Sequence, residues 1–239
     1  ILESPQFTLL LGEAQEPVVV HAMAIATLSD PLNCLINGHM KEAQEKSAEL
    51  PYIEKDDFLR LCEFAYRGDY TTPPFGGGSG DQNTDSDVLA RLADRDRRPD
   101  CHPRYKIAST FVTRLSRHPG EDWTPVLLGH ARMYCIADRY MIQALKDVTL
   151  FKLHHSLKGY SHDLADRSND IIDVVHFAYS SHNTSDRIEY EDEDLDDLRE
   201  LLVEYIASEA FQLEKVIEGL LDEGGQFAVD FWRVMKGEL

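Results

Sequence analysis

Cysteine and positive charge are both scarce in this chain, and there is no long hydrophobic run. Cysteine occurs four times in 239 residues, at positions 34, 62, 101 and 135, and no two of them form a CxxC pair. Three lie among apolar, helix-like neighbours ("NCLI", "RLCEF", "YCIAD"), as free buried thiols in a reducing compartment do. Lys and Arg number 24 against 43 Asp and Glu, a formal charge of −19. That balance repels phosphate backbones and anionic membrane surfaces, so no nucleic-acid or membrane partner is expected. The opening "ILESPQF" has no charged leader, long apolar stretch or initiator Met, and reads as part of a longer intracellular protein. A place in the nucleus or cytoplasm is the expectation.

Motifs for chemistry are missing as well. Ten histidines are present, but His154 and His155 are adjacent on a helical stretch, which turns their rings to different faces and prevents a two-ligand clamp. Cys101-His102 has no second pair near it. The acidic "EYEDEDLDD" lacks the order of a calcium loop and its closing Glu, and reads as a solvated loop favouring the N-terminus of the helix that follows. Gly76-Gly77-Gly78 follows no strand and precedes no Lys-Ser/Thr, so it is not a phosphate loop. No serine sits in a G-x-S-x-G setting. Asn183-Thr184-Ser185 matches a glycosylation acceptor in a chain with no other sign of secretion, and reads as a chance match. No catalytic, cofactor-binding or metal-ligating residue is expected, and the chain does not read as an enzyme.

What is present is an ordered set of elements. "QFTLLLG" and "PVVVHA" are two β-like runs separated by "EAQE". Residues 22–36 read as two short helices, with Ala24, Leu28, Leu32 and Leu35 recurring at three- and four-residue steps and Ser29-Asp30-Pro31 between them. "SAELPYI" is a third strand ended or bent by Pro51. From Asp56, Phe58, Leu61, Cys62, Ala65 and Tyr66 share one face of a helix that Gly68 stops. "TTPPFGGGSGDQNTDSD" is full of breakers and reads as flexible, and the basic stretch after it as an isolated helix within an insertion. Order returns at Trp123-Thr124-Pro125, with Thr124 as N-cap and Leu128, Ala131, Cys135 and Ala137 carrying the helix. Ile142, Leu145, Val148, Leu150 and Leu153 then define a second helix. "DIIDVVHFAYSS", capped by Asn169 or Asp170, starts another; "DLDDLRELLVEYIASEAFQLEKVIEGLLDEG" reads as one long helix and "GGQFAVDFWRVM" as a last short one. "FLRLCEFAYRGDYTT" and "IIDVVHFAYSSHNTS" echo each other, as though one helical-hairpin plan were used twice.

Three segments together resemble the BTB/POZ domain, of the type found in filamentous fungi: "VHAMAIATLSDPLNCLINGHMKEAQE", "AELPYIEKDDFLRLCEFAYRGDY" and "LLGHARMYCIADRYMIQALKDVTLFKL". They match that family's His before a helix, Ser near its end, G-x-M-K/R-E, Y-x-G-D-Y ending and A-D-K/R-Y. The resemblance covers residues 7–71 and 124–157, and the helices after 158 resemble the BACK-like extension that often follows. It implies an α+β, mostly helical fold: a small mixed sheet covered by helical hairpins over 1–157, interrupted by a flexible insertion at 72–122, then an all-α extension over 158–239.

The resemblance also implies a non-catalytic protein-interaction module with protein partners. Such domains dimerise or serve as adaptors for cullin-RING ubiquitin ligases, and the adaptors carry a hydrophobic-x-Glu motif after the helix pair. Met40-Lys41-Glu42 occupies that place, with Met as a soft apolar knob and Glu as a charge that sets register; a solvated loop is the plain alternative. Many members have an acidic residue after the first Phe and a basic one after the His. Thr8 and Ala22 stand there, so the charged pocket of repressor members is not expected. The alternative function is a structural oligomerisation or transcription-associated scaffold module without a ligase role.

Overall fold

A computed structural model describes residues 1–76, 122–159, 168–184 and 195–237. Among the described residues it is α+β, mostly helical, with one small mixed sheet. Two compact units divide it: Ile1–Thr71 with Arg132–Val148, and Thr72–Ala131 with Thr149–Leu239.

The first unit opens with β1 (Gln6–Leu11) and β2 (Glu16–His21), antiparallel neighbours joined through Gly12, whose φ of +61° is the left-handed turn conformation that glycine adopts without strain. Alternation puts Phe7, Leu9 and Leu11 of β1 inward. Then come α1 (Ala22–Ala26), α2 (Asp30–Asn37) and the single-turn α3 (Lys41–Glu45). The chain returns as β3 (Ser47–Leu50), parallel to β1, so the sheet order is β2-β1-β3 and the third strand ends just before Pro51. The expected helix pair is present: the Ser29 hydroxyl accepts the Leu32 N–H at 3.4 Å and Pro31 lies in the first turn of α2.

Helix α4 (Lys55–Arg67) buries Phe58, Leu61 and Phe64 against this layer and ends at Gly68, φ +70°. Tyr66 departs from the expected inward face. It is exposed, and its hydroxyl meets His21 Nδ1 at 2.7 Å, so the ring covers the start of α1 instead of entering the core. Met133, Ile136 and Ala137 of α5 (Thr124–Arg139) and Ile142 and Leu145 around the start of α6 (Gln143–Gly159) complete the core of this unit.

The second unit contains α7 (Ser168–Ala178), α8 (Asp197–Ser208), α9 (Glu214–Glu223) and α10 (Gly225–Lys236). Among these four, α8 contacts α7 and α10, and α9 contacts the same two. Leu198, Leu201, Leu202, Val203, Tyr205 and Ile206 are all fully buried, so α8 is covered on nearly every side. The long helix expected over this region is two: the chain turns at 209–213, leaving Phe211 exposed and Leu213 buried, although no Gly or Pro stands there. Helix α5 starts at Thr124 itself, one residue before the expected first helical position. Asn169 or Asp170 was expected to cap α7, but that helix begins at Ser168, and the Asp170 carboxylate reaches α5 instead, accepting the Trp123 N–H at 3.3 Å and the Thr124 hydroxyl at 3.0 Å.

The first residues of the insertion are packed, contrary to the expectation of flexibility from Thr71 onward. Pro73 is buried so closely against Gly129 that any Cβ there would collide with its ring, and Phe75 meets Trp123 edge to face at 4.8 Å. Gly76 and Asp122 exchange backbone hydrogen bonds at 2.9 and 3.2 Å, so the two ends of the insertion meet. Gly77-Gly78, the basic stretch and Cys101-His102 lie outside the described residues, as does most of "EYEDEDLDD".

Candidate functional site

The residues Met40, Lys41 and Glu42 follow a backbone exit that only glycine fits. Helix α2 ends at Gly38, whose N–H reaches the Cys34 carbonyl at 2.9 Å, and a Cβ on Gly38 would run into that same carbonyl. The chain then extends through His39 to Met40, the N-cap of α3 at φ −75°, ψ 168°. One helical turn follows and Lys46 closes it at φ +54°. The three residues therefore begin a short helix, not a loop.

Their environments differ. Met40 is 65 % exposed, and with no core contact to gain, its side chain is available to a partner. Lys41 pairs with Glu45 at 3.6 Å, but both are largely solvated, so the pair contributes little. Glu42 is half-buried, and its Oε2 is shut off from solvent with no hydrogen-bond partner. Leaving a carboxylate oxygen in that state is costly, and a partner's donor would reach it only after the Glu42 side chain turns outward. Gln44 holds the turn by donating its side-chain amide to the His39 carbonyl at 3.1 Å.

Most residues that carry the family resemblance hold the fold rather than present chemistry. His21 takes Tyr66; Ser29 caps α2. Glu63 accepts the Thr71 N–H at 2.6 Å and Thr71 Oγ1 at 3.2 Å, fastening the exit of α4. Tyr70 is buried beside Asp69, and burial first, then that charge, pushes its hydroxyl pKa well above the usual range. Asp138 accepts Lys146 Nζ at 3.0 Å, and the Arg139 guanidinium lies 5.0 Å from the Tyr52 ring centre. Burial also raises the Tyr140 phenol. Tyr52 and Met141 are both exposed.

A buried polar network in the second unit was not foreseen. Arg199, fully buried, donates Nε to Thr184 Oγ1 at 2.6 Å and Nη2 to the Thr184 carbonyl at 3.3 Å, and its guanidinium stands 4.6 Å from the centre of the Tyr179 ring. Thr184 Oγ1 donates to the Ala178 carbonyl, and the Tyr179 hydroxyl donates to Asp230 Oδ2 at 3.1 Å. Burial first, then the Asp230 charge, drives the Tyr179 pKa upward. Thr184, part of the glycosylation match, is thus a buried structural partner, and the Asn183 amide is taken by the Phe177 carbonyl at 2.8 Å.

Among the described residues no group of three or more His, Cys, Asp or Glu could hold a metal ion. The His154 and His155 rings stand 6.1 Å apart with planes at 89°. No described helix is long and apolar enough to cross a membrane. No protein-family model, no curated protein and no solved structure matches the chain.

Proposed function

We propose that this chain is a non-catalytic protein-interaction module of the BTB/POZ type that recruits a cullin scaffold through Met40 and Glu42, as an adaptor for ubiquitin ligation. The order of elements supports the reading: a β-hairpin, a helix pair, a third strand parallel to the first, then α4 and the α5–α6 hairpin, with the resembling segments in those places. The observation that carries it is an exposed Met40, 65 % accessible, at the N-cap of α3 with the acidic Glu42 in the first turn behind it. An apolar knob beside a carboxylate is the chemistry a hydrophobic-x-Glu motif offers to a partner helix. Such a role belongs in the nucleus or cytoplasm.

The test is capture of purified cullin N-terminal domain by the wild-type chain and by Met40→Ala/Glu42→Lys. Loss of interface anchors typically costs about 2 kcal/mol or more, roughly thirtyfold in affinity. Equal capture by both proteins removes these residues from the site. No capture by either leaves the structural or transcription-associated scaffold as the surviving function.

A further inference from the structure

Helix α10 carries apolar side chains on two opposite faces. Phe227 and Phe231 point into the second unit and are buried. On the other face Gly225, Val229, Trp232 and Lys236 recur at steps of four, three and four residues, the spacing of a helix–helix seam. Val229 is 46 % exposed and Trp232 62 %, with the Lys236 ammonium 5.5 Å from the indole centre. Met235, 55 % exposed, flanks them. An exposed tryptophan in an apolar row is the composition of an interface centre, since indole anchors dominate contact energies.

The charges around this seam differ from end to end. Arg233 and Lys236 lie in the last turn of α10, while Asp222 and Glu223 close α9 just ahead of Gly224-Gly225 at its start. A two-fold axis between Val229 and Trp232 makes the seam complementary to itself. Each Trp232 then meets Val229 of the second copy, and each Lys236 lies beside the second copy's Gly225 and the Asp222 that precedes it, Glu223 being already held by His176 Nε2 at 2.8 Å. The helix dipoles also oppose. A parallel arrangement would place Lys236 on Lys236. Self-complementarity under a two-fold is the requirement of an isologous dimer.

We infer that the occupant of this face is a second copy of the chain, joined through antiparallel packing of the two α10 helices. The seam includes neither Met40 nor Glu42 and does not depend on the adaptor reading.

Two measurements on the full chain test it. Light scattering across a concentration series reads the mass of wild type, Trp232→Ala and Val229→Glu, with circular dichroism to verify that both variants stay folded. Cross-linking with a short bismaleimide compares Val229→Cys with Lys236→Cys, the linked peptides being read by mass spectrometry. In the antiparallel pair the two Val229 positions are offset by about 5 Å along the axis and the two Lys236 positions by about 16 Å. The expected result is a wild-type dimer, at least tenfold weaker association in both folded variants, and a cross-link at 229 but not at 236. A monomeric wild type, undiminished association of the folded variants, or a cross-link at 236 without one at 229 overturns the inference.

Discussion

Asp57 and Arg132, 75 residues apart in sequence, meet in a carboxylate clamp: Arg132 donates Nε to Asp57 Oδ2 at 2.7 Å while Arg60 donates Nη1 to Oδ1 at 2.9 Å. Asp57 is almost fully buried at 2 % exposure, so both of its oxygens depend on these two guanidinium groups. The clamp ties the first turn of α4 to α5. Asp57→Ala leaves Arg60 and Arg132 without their anion; because the two side chains are 16 % and 37 % exposed, solvent meets part of the loss and the cost falls below that of a fully buried pair, to about 2–3 kcal/mol. Thermal unfolding is expected to fall by roughly 6–12 °C. A loss within 1–2 °C would mean that solvent satisfies the two arginines.

A second tether acts at the N-terminus of α5. Asp170 receives the backbone N–H of Trp123 and the hydroxyl of Thr124, placing a carboxylate at the positive end of that helix. Asp170→Ala is expected to lower stability by about 1–2 kcal/mol, the range for losing a helix cap, and Asp170→Asn by less because one acceptor remains. Denaturant titration of the three proteins measures it. Equal midpoints would show that the contact is incidental.

The sheet and helices α1, α2 and α4 were legible because each carries its own signal: the β-forming run "QFTLLL", Ser29 before Pro31, Gly68 after a periodic face; the single turn of α3 carried none. The turn at 209–213 was not legible, because "ASEAFQLEK" contains no breaker and its direction is set by burial of Leu213, Val216 and Leu220. Tyr66 and Tyr179 show the limit of local pattern. They occupy matching places in the two echoing segments, yet one bonds His21 at the surface and the other Asp230 inside the second unit. Met40 and Glu42 could be named from sequence, whereas their contrast in burial could not. It arises from the Gly38 exit, which turns one side chain out and leaves the other against the protein. The Arg199 network joins groups from separate helices and had no sequence signature at all.

The cysteines divide by environment rather than sharing one. Cys34, expected to be buried, is exposed on α2, while burial pushes the Cys62 thiol up to about 11. Only the thiolate attacks an alkylating reagent, so at pH 8 Cys62 is expected to react on the timescale of unfolding and Cys34 within minutes. Peptide mass spectrometry after timed iodoacetamide treatment separates the two. Comparable rates at both positions would show that α4 opens readily.

The last prediction concerns pH. On α8, Glu204 is half-buried with an unpartnered Oε2, and burial, then the neighbouring Glu200 charge, raises its carboxyl from the ordinary 4.5 to about 7. A carboxyl with a higher pKa in the folded than in the unfolded chain holds its proton more tightly when folded. Its ionisation therefore opposes folding: no penalty exists below about 4.5, it grows as pH rises between the two values, and it is complete above about 7. Glu204→Gln keeps the shape and removes the charge. Near pH 4.5 the variant should match wild type in melting temperature. From there the variant should gain steadily, to a constant advantage at pH 8. An advantage that is the same at every pH would assign the effect to packing, and a wild type favoured at pH 8 would show that the Glu204 carboxylate has a partner that stabilises its charge.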